Sequence, residues 1–153
     1  MKNTIIELEN LTTNQLNDYL TSTSFEIFFD KQDPNDDTIG IKYKNESLSV
    51  IKPEKETNKI KIFSLLRDSA FKESNLNAVE SFADKMTKIS SISKVVSVQR
   101  SDNDIALLMS YHLPAKGSIS LDCLENIIIV FHEDIDKVKA YVPFFNEIAK
   151  SDI

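Results

Sequence analysis

At 153 residues, 17.4 kDa and 41% hydrophobic content, the chain has the size of one self-supporting domain, expected to span residues 1–153. Two glycines and four prolines argue against a low-complexity or disordered polypeptide, and a single cysteine, Cys123, excludes an internal disulfide and points to a reducing cytoplasm. The net charge of −6 is uneven: residues 38–117 carry thirteen Lys or Arg against nine acids, whereas both flanking stretches are acidic. Because Glu46, Glu54, Glu56 and Glu73 interrupt that basic middle, it does not read as the clustered face by which a nucleic-acid binder displaces counterions.

The opening MKNTIIELEN places Glu7 and Glu9 where a signal peptide needs an unbroken apolar core, and no apolar run approaches the roughly 18 residues of a membrane span. A cytoplasmic protein without membrane insertion is therefore expected. The first helix starts at Thr12, with Gln15 completing a capping box and Leu11 placed to staple onto Leu16; the β-branched and hydroxyl run Thr21 to Ser24 ends it by Thr23. In the FEIFF segment, Phe25, Ile27 and Phe29 share one side of a strand.

The acidic run Asp30 to Asp37 has an EF-hand-like spacing at Asp33, Asn35 and Asp37. Thr38 stands where the turn requires glycine and Lys44 where a bidentate Glu is required, so a solvated turn is expected. A hairpin follows, Ile39 to Tyr43 and Leu48 to Ile51 about Asn45-Glu46, which Pro53 is expected to end. Lys59 to Leu66 is the next strand. The lysines Lys42, Lys44, Lys59 and Lys61 fall on alternate positions, as on a solvated strand face.

Ser74 is a candidate cap for a second helix carrying Leu76, Val79, Phe82, Ala83, Met86 and Ile89 on one face. Two strands, Lys94 to Gln99 and Ile105 to Leu113, pair about Ser101 to Asp104. The second is apolar on both sides, so it is expected to be central in a sheet or to lie under a partner. After the turn Pro114 to Gly117, Ser120 caps a long helix in which Leu121, Leu124, Ile128, Phe131, Ile135, Val138, Val142 and Phe145 recur at steps of three and four, widened by Ile127 and Val130. A seam this wide predicts cover from a sheet and from a second chain. Pro143 should kink or restart the helix. Helices alternating with hairpins give an α+β class, in the order α-β-β-β-α-β-β-α with a further strand possible in the first group, the helices packed on an antiparallel sheet.

No catalytic residues, cofactor site or metal site emerge. With Gly40 and Gly117 the only glycines, a Gly-rich phosphate loop is excluded. Cys123 and His132 stand nine residues apart, on opposite faces of a helix, so they cannot share a proton, and Cys123 reads as a semi-buried apolar filler. His132, Glu133, Asp134 and Asp136 point in different directions from one helix and lack an i, i+4 histidine pair, so a solvated face is expected there, not a metal site.

The pattern of the second half, with a helix at Leu76 to Ile89, a hairpin at Val95 to Leu113, the turn Lys116-Gly117 and a final apolar helix from Leu121 to Val138, resembles the YbjN-like family of small bacterial proteins, labelled sensory-transduction regulators. The start LENLTTNQLNDYLTSTSFEIFF looks like that family's opening helix and strand, while the strand between Ile39 and Ile51 is additional. The family is similar in fold to class I type III secretion chaperones, which are small, acidic, cytoplasmic and commonly dimeric. The resemblance implies a chaperone-like or regulatory protein without enzymatic activity, binding a protein partner and forming a homodimer. Two alternatives are a dedicated type III secretion chaperone and an immunity protein that neutralises a basic toxin. The candidate partner or dimer contacts are Phe25, Ile27, Phe29, Leu108, Ile127, Ile128, Phe131 and Ile135.

Overall fold

The structure is a computed structural model and describes residues 4–29, 37–44, 47–101 and 104–151. Its elements run β1 (Ile5–Glu7), α1 (Thr13–Leu20), β2 (Glu26–Phe28), β3 (Ile39–Tyr43), β4 (Ser47–Glu54), β5 (Lys59–Leu66), α2 (Ser69–Lys72), α3 (Leu76–Ile89), β6 (Lys94–Ser101), β7 (Asp104–Pro114), β8 (Ser118–Ser120), α4 (Leu121–Tyr141), a 3₁₀ turn at Val142–Phe144 and α5 (Phe145–Ala149). The class is α+β. Six strands form one antiparallel sheet in the order β2-β3-β4-β5-β7-β6, and β1 pairs with β8 in a separate two-stranded ribbon.

Local signals set most element ends. Thr12 and Gln15 exchange the two bonds of a capping box, at 3.1 and 3.0 Å, and α1 stops at Leu20. There the hydroxyls of Thr21, Ser22 and Thr23 donate to the carbonyls of Asp18, Tyr19 and Leu20, competing with a further helical turn. Ser120 caps α4 by accepting from the Cys123 amide at 3.0 Å. Pro143 ends α4 as anticipated, and the chain passes through one 3₁₀ turn before restarting as α5.

Four expectations need correction. The cap of α3 is Asn75, whose side chain accepts from the Ala78 amide at 2.9 Å, and not Ser74; Ser74 instead closes the short α2, its amide bonded to the Phe71 carbonyl. Helix α2 itself, capped by Asp68, carried too few periodic positions to be seen in the sequence. Pro53 does not end β4 but lies within it, opposite Ile60. The neighbouring β3 reaches only Ile39 opposite Ile51, so Pro53 sits where β4 has an open flank and a missing N–H is tolerated. Cys123 is exposed, not semi-buried. The acidic positions Asp33 and Asn35, the turn residues Asn45 and Glu46, and Asp102 and Asn103 of the second hairpin lie outside the described residues; Asp37 pairs with Lys52 at 3.5 Å.

Strand β7 is central, between β5 and β6, which accounts for its two apolar sides. One side of the sheet, carrying Ile39, Ile41, Ile51, Ile60, Ile62, Ile105, Leu107, Met109 and Val95, is buried under the helices. All eight seam positions of α4 and its continuation are buried in that same core; Phe71, Phe82 and Phe145 meet there with ring centroids 5.2–6.0 Å apart. The C-terminal turn is fastened to α3, where Ser81 donates to the Ala149 carbonyl at 3.0 Å and Lys85 to that of Ile148 at 2.6 Å.

The seam is therefore core within one chain. Ile128 and Phe131 are 0% exposed and Ile135 2%, so these three are corrected from candidate contacts to packing residues. A stripe of this width is covered here by the chain's own sheet and by α3, because a sheet offers a helix a flat apolar surface wider than a partner helix does. Ile128→Asp or Phe131→Asp is expected to abolish the folded circular dichroism signal in a dilute sample, whereas a change confined to an interface would leave it intact.

Candidate interaction surface

Among the described residues, the opposite side of the sheet carries no helix. Cross-strand register lays its side chains out in rows. One row runs Phe28, Gly40, Val50, Phe63, Ser110 and Lys94 across all six strands; the next includes Leu65, Leu108 and Val96. Leu48 belongs to this side as the partner of Lys42. Phe28, Leu48 and Leu65 are 49, 55 and 36% exposed, and together they leave an apolar area open on the face from the edge strand β2 to β5. Gly40 belongs to that arrangement: a Cβ placed on it would come within 3.3 Å of the Phe28 Cβ, so the bare glycine lets Phe28 lie close to the sheet.

Cations border the apolar rows. Lys52 stands opposite Lys61, and Lys61 opposite His112, which sets three basic groups side by side across β4, β5 and β7. Like charges facing one another across strands oppose sheet formation by a few tenths of a kcal/mol up to about 1. Lys61 also lies 5.0 Å from the Phe63 ring centroid. Partial burial, followed by the charges of Lys61 and Lys59, holds the His112 pKa below its ordinary value, so the imidazole stays neutral near pH 7. At the far end of the face, Arg67 bonds Asp104 at 2.6 Å, and Arg100 joins them around a small hollow with Leu65, Val98 and Leu108.

Of the contact residues expected from the sequence, Leu108 lies on this open face. Phe25 and Ile27 turn the other way: Phe25 is buried edge-on against Tyr43, with centroids 5.4 Å apart, and Ile27, opposite Ile41, packs on the core together with Phe29. Ile127 is half-buried and borders a shallow depression of about 340 Å³ with Ile92, Cys123 and Val130, away from the open face. Phe28, Leu48 and Leu65 were missed. The signal was present in FEIFF, where Phe28 interrupts an alternation that otherwise hides its large residues on one side.

The solvated face expected at His132, Glu133, Asp134 and Asp136 of α4 is corrected: His132 and Asp134 are buried, because α4 turns them towards β4 and the α3–β6 connection. His132 is fully buried, its Nε2 2.8 Å from Ser49 Oγ on β4, and Nδ1 has no partner. Burial lowers its pKa to about 4, against a smaller opposing effect of Asp136. Asp136 accepts from the Ser47 hydroxyl at 2.5 Å. Asp134, also fully buried, accepts from the amides of Ser91, Ile92 and Ser93 at 2.8–3.0 Å and from the Ser93 hydroxyl at 2.7 Å. His132, Asp134 and Asp136 thus each bond a different neighbour, and among the described residues no three His, Cys, Asp or Glu side chains are grouped to hold a metal ion. A cleft of about 490 Å³ lies between the start of α1 and the β4–β5 turn and is lined mostly by polar and charged side chains, with Lys52 already paired to Asp37. No helix is long and apolar enough to cross a membrane among the described residues.

No protein-family model matches the sequence, and no curated protein sequence matches it. The solved structures do give matches. YbjN from E. coli, described as a candidate transcription regulator, superposes with a TM-score of 0.62 over 82% of this chain and 86% of its own, at 14% identity. The chain has a YbjN-like fold. An uncharacterized protein from Methanothermobacter thermautotrophicus superposes with a TM-score of 0.59 over 90% of this chain and 98% of its own, again at 14% identity. Identities this low carry the YbjN-like fold alone, and the function has to be argued from the surface.

Proposed function

We propose that the chain is a non-catalytic protein-binding protein, chaperone-like or regulatory in type, that engages its partner on the open side of the sheet. The observation carrying this reading is the exposure of Phe28, Leu48 and Leu65 on a face that no helix covers among the described residues, while His132, Asp134 and Asp136 of α4 are engaged in structural bonds. Apolar side chains left in water on a regular sheet favour association. The description of YbjN as a candidate regulator is compatible with this reading.

The test is crosslinking of the tagged chain in its own host, comparing the wild type with a Leu48→Asp/Leu65→Asp variant. A protein partner that crosslinks to the first and not to the second is expected, and mass spectrometry would then separate a secreted effector from a toxin. Absence of any partner, or one retained by the variant, overturns the reading.

Homodimerisation through the seam would require Ile128, Phe131 and Ile135 to leave the core. Light scattering across a dilution series is therefore expected to return the monomer mass of 17.4 kDa. A concentration-independent mass of twice that value would show a homodimer formed through another surface.

A further inference from the structure

Resting on that reading, we infer the chemistry of the partner: an amphipathic segment that presents bulky apolar side chains flanked by carboxylates. Charge and shape combine on a single face. Although the chain as a whole is acidic, with a net charge of −6, the borders of the open face carry Lys52, Lys59, Lys61, Lys94, Arg67 and Arg100. The carboxylates of this face are engaged or peripheral: Asp104 bonds Arg67, Asp37 pairs with Lys52, Glu54 lies opposite Lys59 at the end of the strand pair, and Glu26 lies opposite Lys42 on the edge strand β2. The face therefore opposes the sign of the molecule around it, and attracts an anionic partner at close range.

The centre of the face selects among anions. Val50, Phe63, Leu65 and Leu108 lie between the two cationic borders, and Leu48 and Phe28 stand free beside them. A phosphate backbone finds nothing to bond on aliphatic side chains, whereas Leu, Ile or Phe residues of a peptide bury against them, with neighbouring Asp or Glu reaching the borders. A second copy of the chain is the poorer occupant. Both ends of the face are cationic, so stacking two such faces in either strand direction sets cation against cation.

The experiment is selection of a displayed random library of peptides, each about 12 residues long, against the whole chain, followed by fluorescence anisotropy with the recovered sequences. Enrichment of Asp and Glu among bulky apolar residues is expected. Affinity should fall about tenfold or more in a Lys61→Glu variant and likewise in a Leu48→Ser/Leu65→Ser variant, each with unchanged circular dichroism, and should weaken with added salt. Recovery of neutral or basic peptides, recovery of none above background, or affinity unmoved by both variants overturns the inference. So does tighter binding of a short DNA duplex than of any recovered peptide, or displacement of the peptide by self-association. If these arms fail while the host partner still crosslinks through Leu48 and Leu65, only the partner chemistry is wrong; loss of the face-dependent crosslink removes the protein-binding reading itself.

Discussion

Asp134→Ala is expected to destabilise the fold by about 3–5 kcal/mol, read as a lowered urea midpoint with an unchanged slope. The reason lies in what the carboxylate holds. Three successive amides, Ser91, Ile92 and Ser93, turn inward between α3 and β6 and point at it, and the Ser93 hydroxyl adds a fourth donor. Converging backbone N–H groups make a local anion site, here filled from within the chain by a residue more than forty positions away. Lys137 stands 3.9 Å from the same carboxylate and contributes less, because its ammonium is partly in water. Alanine leaves the donors facing a buried space without an acceptor, which is more costly than losing an ordinary hydrogen bond. Asp134→Asn keeps one carbonyl oxygen but turns an amide N–H₂ toward donors, so an intermediate loss is expected. Amide exchange at Ser91 to Ser93 should accelerate in the alanine variant. A loss below about 1 kcal/mol would show that water replaces the carboxylate and that the loop is not held by it.

The second large effect is a loss of stability in mild acid traceable to His132. Its folded pKa is lowered to about 4, from an unfolded value of 6.5, so the unfolded chain takes up a proton that the folded chain refuses. The stability attached to the neutral imidazole is fully present above pH 6.5, is lost as the pH falls toward 4, and declines no further below that. The span of that shift corresponds to about 3 kcal/mol. Protonation would place a charge in a site closed by Tyr43 and Phe131, with Ser49 the one hydrogen-bond partner and Asp136 the nearby carboxylate. The check is urea unfolding at pH 7 and pH 4 for the wild type and for His132→Phe. Carboxylate titration is common to both proteins, so the wild type should lose about 3 kcal/mol more than the variant over that interval. Equal losses would mean that the imidazole protonates in place, and the assignment would fall.

Local chemistry made much of the architecture legible. The Thr12–Gln15 box, the Ser120 cap, the break at Pro143 and the strand alternations of Ile39 to Tyr43 and Ile105 to Leu113 are consequences of a few neighbouring residues, and each appears where those residues place it. The two-sided apolar character of Ile105 to Leu113 even indicated a central strand. Elements without a period of their own escaped: β1 and β8, three residues each, exist because they pair with one another across the chain, as Ile5 with Ser120 and Glu7 with Ser118. A three-residue extended segment has no signature that separates it from a loop.

The site was harder for the same reason. A periodic apolar stripe says that a face is covered, but not by what. The sequence alone determined that Leu121 to Phe145 must be buried, because water disfavours so continuous an apolar surface. Only the tertiary structure decided that the cover is the chain's own sheet, so that Ile128, Phe131 and Ile135 are core and the sheet's other side, with Phe28, Leu48 and Leu65, is left open. Likewise, the lysines at alternate positions were legible as one strand face, whereas the opposition of Lys52, Lys61 and His112 across three strands is a matter of register. Register is set by long-range pairing and by which face the helices cover, and neither is encoded in any single stretch of residues.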